Sequence, residues 1–292
     1  MHRREFVKLS ATALTASLAR PLFALPENDP YFSTIGLQLW TVREQMKKDA
    51  AGTIKAIADA GYKQVEIGDP ADKDLIKLAK DNGMNVTSSF INWEVLGNPD
   101  SEVYGKFDSL LESAVENGLK HLVYGYVGKG CRETVDQYKQ MAEKSNAAGE
   151  SCTNAGIQLC YHNHAFEYEK IDGDRTGYDI FIDEFDKGHV KFELDVFWTK
   201  LGGWDPIETM SKLDGRISQL HLKDLAKDTP VIYDEGKVPK EAFKEVGNGT
   251  IDFAKVLEVA KKIGVEQCHV EQDQSPDPIA SIGESYQFLG KI

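Results

Sequence analysis

The chain has 292 residues, 41% of them hydrophobic and 28% charged, enough for one large α/β domain or two small ones. Its formal net charge of −13 disfavours a nucleic acid partner, because phosphate backbones attract basic surfaces. The four cysteines (Cys131, Cys152, Cys160, Cys268) are scattered with no CxxC pair and read as small buried residues; a disulfide is possible but not signalled.

At the N-terminus, Arg3 and Arg4 are followed by Phe6, Lys8 and a mild apolar stretch over residues 9–19. This resembles a twin-arginine export signal, with cleavage expected near Ala24. The stretch is too short to span a bilayer. No cysteine stands near the cleavage point, so no membrane anchor is expected. Arg20 interrupts the apolar stretch, which leaves a plain basic tail as the alternative. The expectation is a signal over 1–24, a periplasmic protein, and one domain over 25–292.

After residue 33, short apolar runs alternate with longer amphipathic stretches. Strands are predicted at 35–40 (IGLQLW), 64–68 (QVEIG), 85–90 (NVTSSF), 121–127 (HLVYGYV), 157–164 (IQLCYHNH), 190–198 (VKFELDVFW), 217–223 (ISQLHLK) and 266–273 (EQCHVEQD). Between them, stretches such as DAAGTIKAIADAG and YKQMAEKSNAAGESCTNAG repeat apolar residues at helical spacing, and a last helix is predicted over 277–289. Gly61, Gly83, Gly118, Gly156 and Gly264 fit the position just past a helix end. Eight strands, each followed by helical sequence at a period of about 33 residues, predict a single-domain (β/α)8 TIM barrel. A doubly wound open sheet would have fewer strands and a glycine-rich turn after the first. The irregular stretch 224–250 is a candidate lid, with EVGNGT (245–250) expected as a flexible loop over the site. EVGNGT lacks the pattern of a phosphate-binding loop.

Period two sorts the strand residues into faces. Leu37 and Leu39 oppose Gln38 and Trp40. Val65 and Ile67 oppose Glu66, and Leu159 and Tyr161 oppose Cys160, His162 and His164. Phe192, Leu194 and Val196 oppose Glu193 and Asp195. Leu220 and Leu222 oppose Gln219, His221 and Lys223, and Cys268 and Val270 oppose His269, Glu271 and Asp273. The apolar faces are expected to meet the outer helices and the polar faces to line the barrel. Burying so many ionisable groups is costly unless they pair or bind a cation.

The C-terminal ends of strands five to eight carry His162, His164, Asp195, His221 and Glu271. Imidazoles mixed with carboxylates suit one divalent ion of the Mn²⁺, Co²⁺, Zn²⁺, Fe²⁺ or Ni²⁺ type better than Ca²⁺.

Taken in order, IGLQLWTVR, VEIG, YHNHAFEYE, ELDVFW, QLHLKD, EVGNGTIDF and VEQD resemble the sugar phosphate isomerase/epimerase superfamily, the xylose isomerase-like TIM barrels. The resemblance covers nearly all of the chain after residue 33. It implies one divalent metal at the C-terminal mouth, held by His162, Asp195, His221 and Glu271. His162 falls where two-carboxylate epimerases of the family have Glu. With HLKD, the YHNH motif looks more like the inosose dehydratase branch, which removes a proton beside a ketone and expels a leaving group from the neighbouring carbon.

The shared chemistry needs a base and a stabilised oxyanion. Glu271, His164 and Glu66 are the candidate bases. Lys223 is a candidate oxyanion or leaving-group donor, its plain alternative being an ion pair with Asp224 or Glu66. Gln38, Trp40, Trp93, Phe197 and Trp198 are candidate substrate contacts. An exported enzyme would meet free or glycosidically linked sugars in place of sugar phosphates. The favoured output is therefore elimination or hydration on a keto-sugar, of the 3-keto-glycoside lyase type, with an aldose–ketose isomerase or epimerase as the alternative. A DNA repair enzyme of the endonuclease IV kind would need a basic groove and more metal ligands. A non-catalytic sugar-binding protein would have no need of histidines and acids in phase. The substrate is expected to be a small carbohydrate.

Overall fold

The computed structural model describes residues 35–292, so the twin-arginine segment lies outside the described residues. Eight strands close into a parallel barrel: β1 (Ile35–Gln38), β2 (Gln64–Ile67), β3 (Asn85–Ile91), β4 (His121–Gly125), β5 (Gln158–His162), β6 (Val190–Asp195), β7 (Ile217–Leu222) and β8 (Gln267–Val270). Neighbours in sequence are neighbours in space, and β8 closes on β1 through Gly36 opposite His269. A principal helix follows each strand: α1 (Ala50–Ala60), α2 (Lys73–Asp81), α3 (Phe107–Asn117), α4 (Val135–Asn154), α5 (Gly177–Glu184), α6 (Pro206–Lys212), α7 (Phe253–Ile263) and α8 (Pro278–Leu289). Among the described residues, no helix is long and apolar enough to cross a membrane.

Local chemistry fixes these ends. Asp49, Asp72, Asp205, Asp252 and Asp277 each accept a backbone N–H of the helix they precede, and Thr134 and Thr176 form capping boxes. The five glycines predicted past helix ends all have positive φ, from +75° to +115°. A β-carbon would strain that left-handed turn, which returns the chain towards the next strand.

The period-two reading holds around the barrel. Leu37, Val65, Ile67, Leu159, Phe192, Leu194, Leu220, Leu222 and Val270 are buried in one core with the helices. Each such side chain contributes roughly 1.5–3 kcal/mol by leaving water. Facing the axis are Glu66, Ser88, His162, Glu193, Asp195, Gln219, His221 and His269, all buried. At the N-terminal end, Gln64, Gln219, Gln267 and His121 hydrogen-bond to one another in place of the usual branched aliphatic packing. All four cysteines are free thiols. Cys131 is only half-buried; the other three are buried.

Several strands stop earlier than their apolar runs. Gln38 accepts the Trp40 N–H at 3.0 Å and turns the chain into a short 3-10 helix, Leu39–Val42. Asp195 accepts the Trp198 N–H at 2.8 Å and starts a helix, Val196–Leu201. Phe197 and Trp198 are therefore helical, because an N-cap carboxylate outcompetes the strand ladder there. β5 ends at His162, since the His164 N–H turns away to the Glu167 carboxylate, 2.9 and 3.0 Å from its two oxygens.

The 224–250 stretch is not a loose loop. Asp224–Leu225 pairs antiparallel with Phe243–Lys244. The Asp224 carboxylate accepts backbone N–H bonds from Leu225, Gly247, Gly249, Thr250 and Ile251 at 2.8–3.1 Å. EVGNGT is thus wrapped around a buried acid, which corrects the expectation of a flexible loop over the site. The portion that reaches the mouth is Glu235, Gly236, Val238, Lys240 and Phe243.

Candidate active site

The C-terminal mouth of the barrel opens on a cavity of about 1000 Å³. Its floor is polar: Gln38, His162, His164, Lys223, Glu271 and Asp273. Trp40, Met46, Leu75, Phe90, Tyr126 and Trp198 contribute to an apolar wall.

Four candidate ligands come from four successive strands. His162 ends β5, Asp195 ends β6 and His221 lies on β7, while Glu271 follows β8 directly. The register sets Asp195 opposite His221 and Gly125 opposite His162. Gly125 is required at that point, because a β-carbon there would sit 2.9 Å from His162 Cδ2. Asn163 ties the ends of β5 and β6 together. Its side chain accepts the Asp195 N–H at 3.0 Å and donates to the Asp195 carbonyl at 3.3 Å.

One donor atom from each of His162, Asp195, His221 and Glu271 lies within 4.8 Å of the others. His221 Nδ1 is 3.0 Å from Glu271 Oε2 and 3.9 Å from Asp195 Oδ2, and His162 Nε2 is 3.9 Å from the same oxygen. Two imidazoles and two carboxylates at this spacing fit a borderline divalent ion. The electrostatics point the same way. Burial opposes charge on His221, yet Glu193 and Glu271 raise its pKa well above the ordinary histidine value. The pocket therefore favours a positive charge at its centre.

Lys223 is buried, with Nζ 2.6 Å from Asp273, 2.7 Å from Glu271 and 3.2 Å from Asp195. Burial works against its charge, but these three carboxylates keep its pKa above the usual lysine value. Its partners are neither Asp224 nor Glu66, the pairings open from the sequence. Lys223 is a fixed cation that orients Asp195 and Glu271. Burial alone would favour neutral Glu271; Lys223 and His221 instead hold its pKa well below the carboxylate range.

His164 lies past the strand end but beside His162, with ring centroids 5.2 Å apart, and also beside Trp198 at 5.2 Å. Burial, reinforced by His162 and Lys223, pushes its pKa well below the usual value. Its surroundings thus favour the neutral ring; it lines the cavity, and among the described residues its Nδ1 has no hydrogen-bonded partner. Beneath it, buried Glu167 accepts the Tyr161 hydroxyl as well as the His164 N–H, and burial raises its pKa to about 7.

Glu66 stands elsewhere. It is fully buried below the floor, where it accepts Gln38 Nε2 at 2.8 Å and the Ser88 hydroxyl at 2.5 Å, with His221 Nε2 at 2.7 Å. It supports His221 and Gln38 and does not line the cavity, so it is not placed to meet a substrate proton. Of the predicted substrate contacts, Gln38, Trp40 and Trp198 line the cavity, and Trp40 is 54% exposed at its rim. Trp93 and Phe197 do not line it. Trp93 packs over Gly97 and Gly128, and Phe197 stacks on Phe243 at 4.7 Å, because the turn after β6 directs it away from the axis. The sequence reading missed Phe90, Tyr126 and Glu235 in the cavity and Glu167 beneath it. Tyr126 has a φ of +80°, rare for a non-glycine residue, and nothing local in the sequence signals it.

The model of the xylose isomerase-like TIM barrel family matches residues 54–292. The chain belongs to this family. Among similar proteins, an inosose dehydratase from Clostridium perfringens is 27% identical over 252 residues, spanning 76% of this chain and 82% of that protein. The crystal structure of a sugar phosphate isomerase/epimerase from Parabacteroides distasonis is 25% identical, with a TM-score of 0.70, covering 88% of this chain and 93% of that one. The structure of the IolI protein with a bound zinc atom, 19% identical with a TM-score of 0.66, covers 88% and 95% and shares the fold.

Proposed function

We propose that this protein is a divalent-metal-dependent enzyme that removes the proton beside a sugar carbonyl and expels the leaving group from the neighbouring carbon, or adds water across the resulting enone. The substrate class is a 3-keto-glycoside. The observation that carries the reading is a neutral, cavity-lining His164 next to a four-donor set fit for one cation. The likeness to inosose dehydratases supports elimination, and the zinc-bound IolI structure supports a metal in such a barrel.

His162, Asp195, His221 and Glu271 would hold the ion. A divalent ion there supplies Lewis-acid stabilisation of charge developing on the ketone oxygen. His164 accepts the C2 proton. The C–H electron pair becomes the C1–C2 double bond, and the C1–O pair leaves on the aglycone oxygen. The same imidazolium then returns its proton to that oxygen, so one residue serves one face of the ring. Lys223 stays charged throughout and keeps Asp195 and Glu271 in place. Gln38, Trp40 and Trp198 orient the sugar. The Arg3–Arg4 segment supports export to the periplasm; N-terminal sequencing of the mature protein checks this, and an intact Met1 on cytoplasmic protein alone would refute it.

The deciding experiment incubates the purified protein with 3-keto-glucosides and with common aldoses and ketoses, followed by NMR in D2O. Aglycone release with an enone or its hydrate is expected. The likeness to the Parabacteroides isomerase/epimerase favours the second reading, isomerisation or epimerisation. Rapid C3 epimerisation of a free ketose, with no aglycone release, would establish that reading in place of the first.

A further inference from the structure

Below the four-donor set, Glu193 points into the barrel axis. It is fully buried, and among the described residues neither of its carboxylate oxygens has a hydrogen-bonded partner. Three imidazole nitrogens face it: His221 Nε2 at 3.3 Å, His162 Nδ1 at 3.5 Å and His269 Nδ1 at 3.7 Å. An ionised carboxylate in so dry a place needs donors, and these rings supply the N–H groups within reach.

Proton placement follows from the surroundings. The Gln64 amide nitrogen, which donates to Gln267 Oε1 at 2.6 Å, also lies 3.0 Å from His269 Nε2 and can only donate to it. His269 Nε2 is then the accepting nitrogen, and the ring carries a proton on Nδ1, aimed at Glu193. For His162, the ring nitrogen facing inward is Nδ1, and it has no partner of its own. Its other nitrogen, Nε2, faces Asp195. A ring with its proton on Nδ1 has its lone pair on Nε2, on the side of the four-donor set. A ring with the opposite tautomer presents an N–H there and cannot ligate.

We propose that Glu193 is a positioning residue: it accepts the Nδ1–H of His162 and, with Glu66, the Nε2–H of His221, so that His162 Nε2 and His221 Nδ1 are the atoms offered to a metal. The proposal rests on the metal reading above and adds which nitrogen binds and what selects it. Glu66 already has Gln38 and Ser88 as donors, so it serves His221 chiefly. Glu193 has no donors besides the imidazoles, and His162 depends on it. Glu66, Glu193, His221 and His269 also place donor atoms within 4.8 Å of one another. The Gln64 hydrogen bond argues against a second ion among them, because it leaves the His269 nitrogen that faces Glu193 protonated.

The test uses Glu193→Leu, which keeps bulk and removes the acceptor, and Glu193→Gln, which keeps one acceptor oxygen. Two readouts are taken on full-length metal-free protein: zinc affinity by calorimetry, and the His162 tautomer by 15N NMR at mildly alkaline pH, assigned with His162→Ala. The wild type is expected to show the Nδ1–H form of His162. In Glu193→Leu that form is lost and zinc affinity falls about 10–100-fold, the usual range for such partners of a ligand histidine; Glu193→Gln recovers part of both. If Glu193→Leu does not fold, Glu193→Gln still decides, with an expected loss of about tenfold. An unchanged tautomer with zinc affinity within about twofold of wild type would overturn the proposal. So would two zinc ions per wild-type chain with one lost in either variant, since Glu193 would then be a ligand itself. Asp195→Ala in the same titration keeps the two readings apart. A wild type that binds no zinc removes the metal reading, while the tautomer measurement still decides what Glu193 does.

Discussion

Strands β5 to β8 and strands β1 to β4 face one axis with different side chains. The first group carries His162, Asp195 and His221, with Glu271 just beyond, the four-donor set proposed above to hold a cation. The second group offers Gln38, Glu66, Ser88 and Gly125, which hold or make room for those residues. The apolar outer faces of the two halves are alike. The difference teaches that a reactive half of a barrel needs an opposite half built to orient it, even where supporting residues such as Glu66 and Ser88 do not line the cavity.

Changing the reactive half should have the largest effects. Asp195→Ala removes a donor and a helix cap together. Zinc affinity, read by calorimetry, should fall by more than the roughly 10–100-fold typical of outer-shell changes, and the lost cap should cost about 1 kcal/mol of stability. A variant that still binds zinc fully would break the assignment of the reactive half. His164→Ala should retain zinc and lose turnover by about 10²–10⁴-fold; parallel loss of metal would mean that His164 belongs to the donor set and that the histidine pair has been divided wrongly.

Glu167 lies in neither half and tests whether the loop after β5 is anchored independently. Burial raises its pKa from 4.5 to about 7 in the folded state. Between those values the folded chain binds more protons than the unfolded one, so stability is full below about pH 4.5 and falls as pH rises through about 7. The drop is roughly 3 kcal/mol at most. Urea unfolding across that range should show this slope in wild type and a flatter profile in Glu167→Gln; identical profiles would mean that the carboxyl is not held neutral. The smallest effect is expected in the supporting half. Gly125→Ala must push the His162 ring aside by a few tenths of an ångström, and zinc affinity should drop about tenfold with stability nearly kept. No change would show that the ring has slack and that the two halves are less tightly fitted than described.

The barrel was legible because its outer helices need an apolar face from every strand, and alternation then exposes the inner set. The family resemblance singled out His162, Asp195, His221 and Glu271, whereas phase had put these four and His164 on one face of successive strands. Phase also put Glu193 and His269 on the axis, but it carries no depth, so it could not separate residues at the mouth from those beneath it. Glu66 was misjudged for that reason: it shares a face with the ligands and lies one layer down. Phe197 and Trp93 failed as sugar contacts because an aromatic run says nothing about where a cap will turn the chain. Glu167 and Tyr126 owe their roles to loop geometry that only the folded chain displays.

The five amides gathered on Asp224 make a binding shape that the chain keeps for itself. A ring of backbone N–H groups is the usual receptor for a phosphoryl group or another free anion. Here the chain fills that receptor with its own carboxylate, tethered one residue from Lys223. The turn is thus closed to a free anion, because the chain supplies the acid that occupies it.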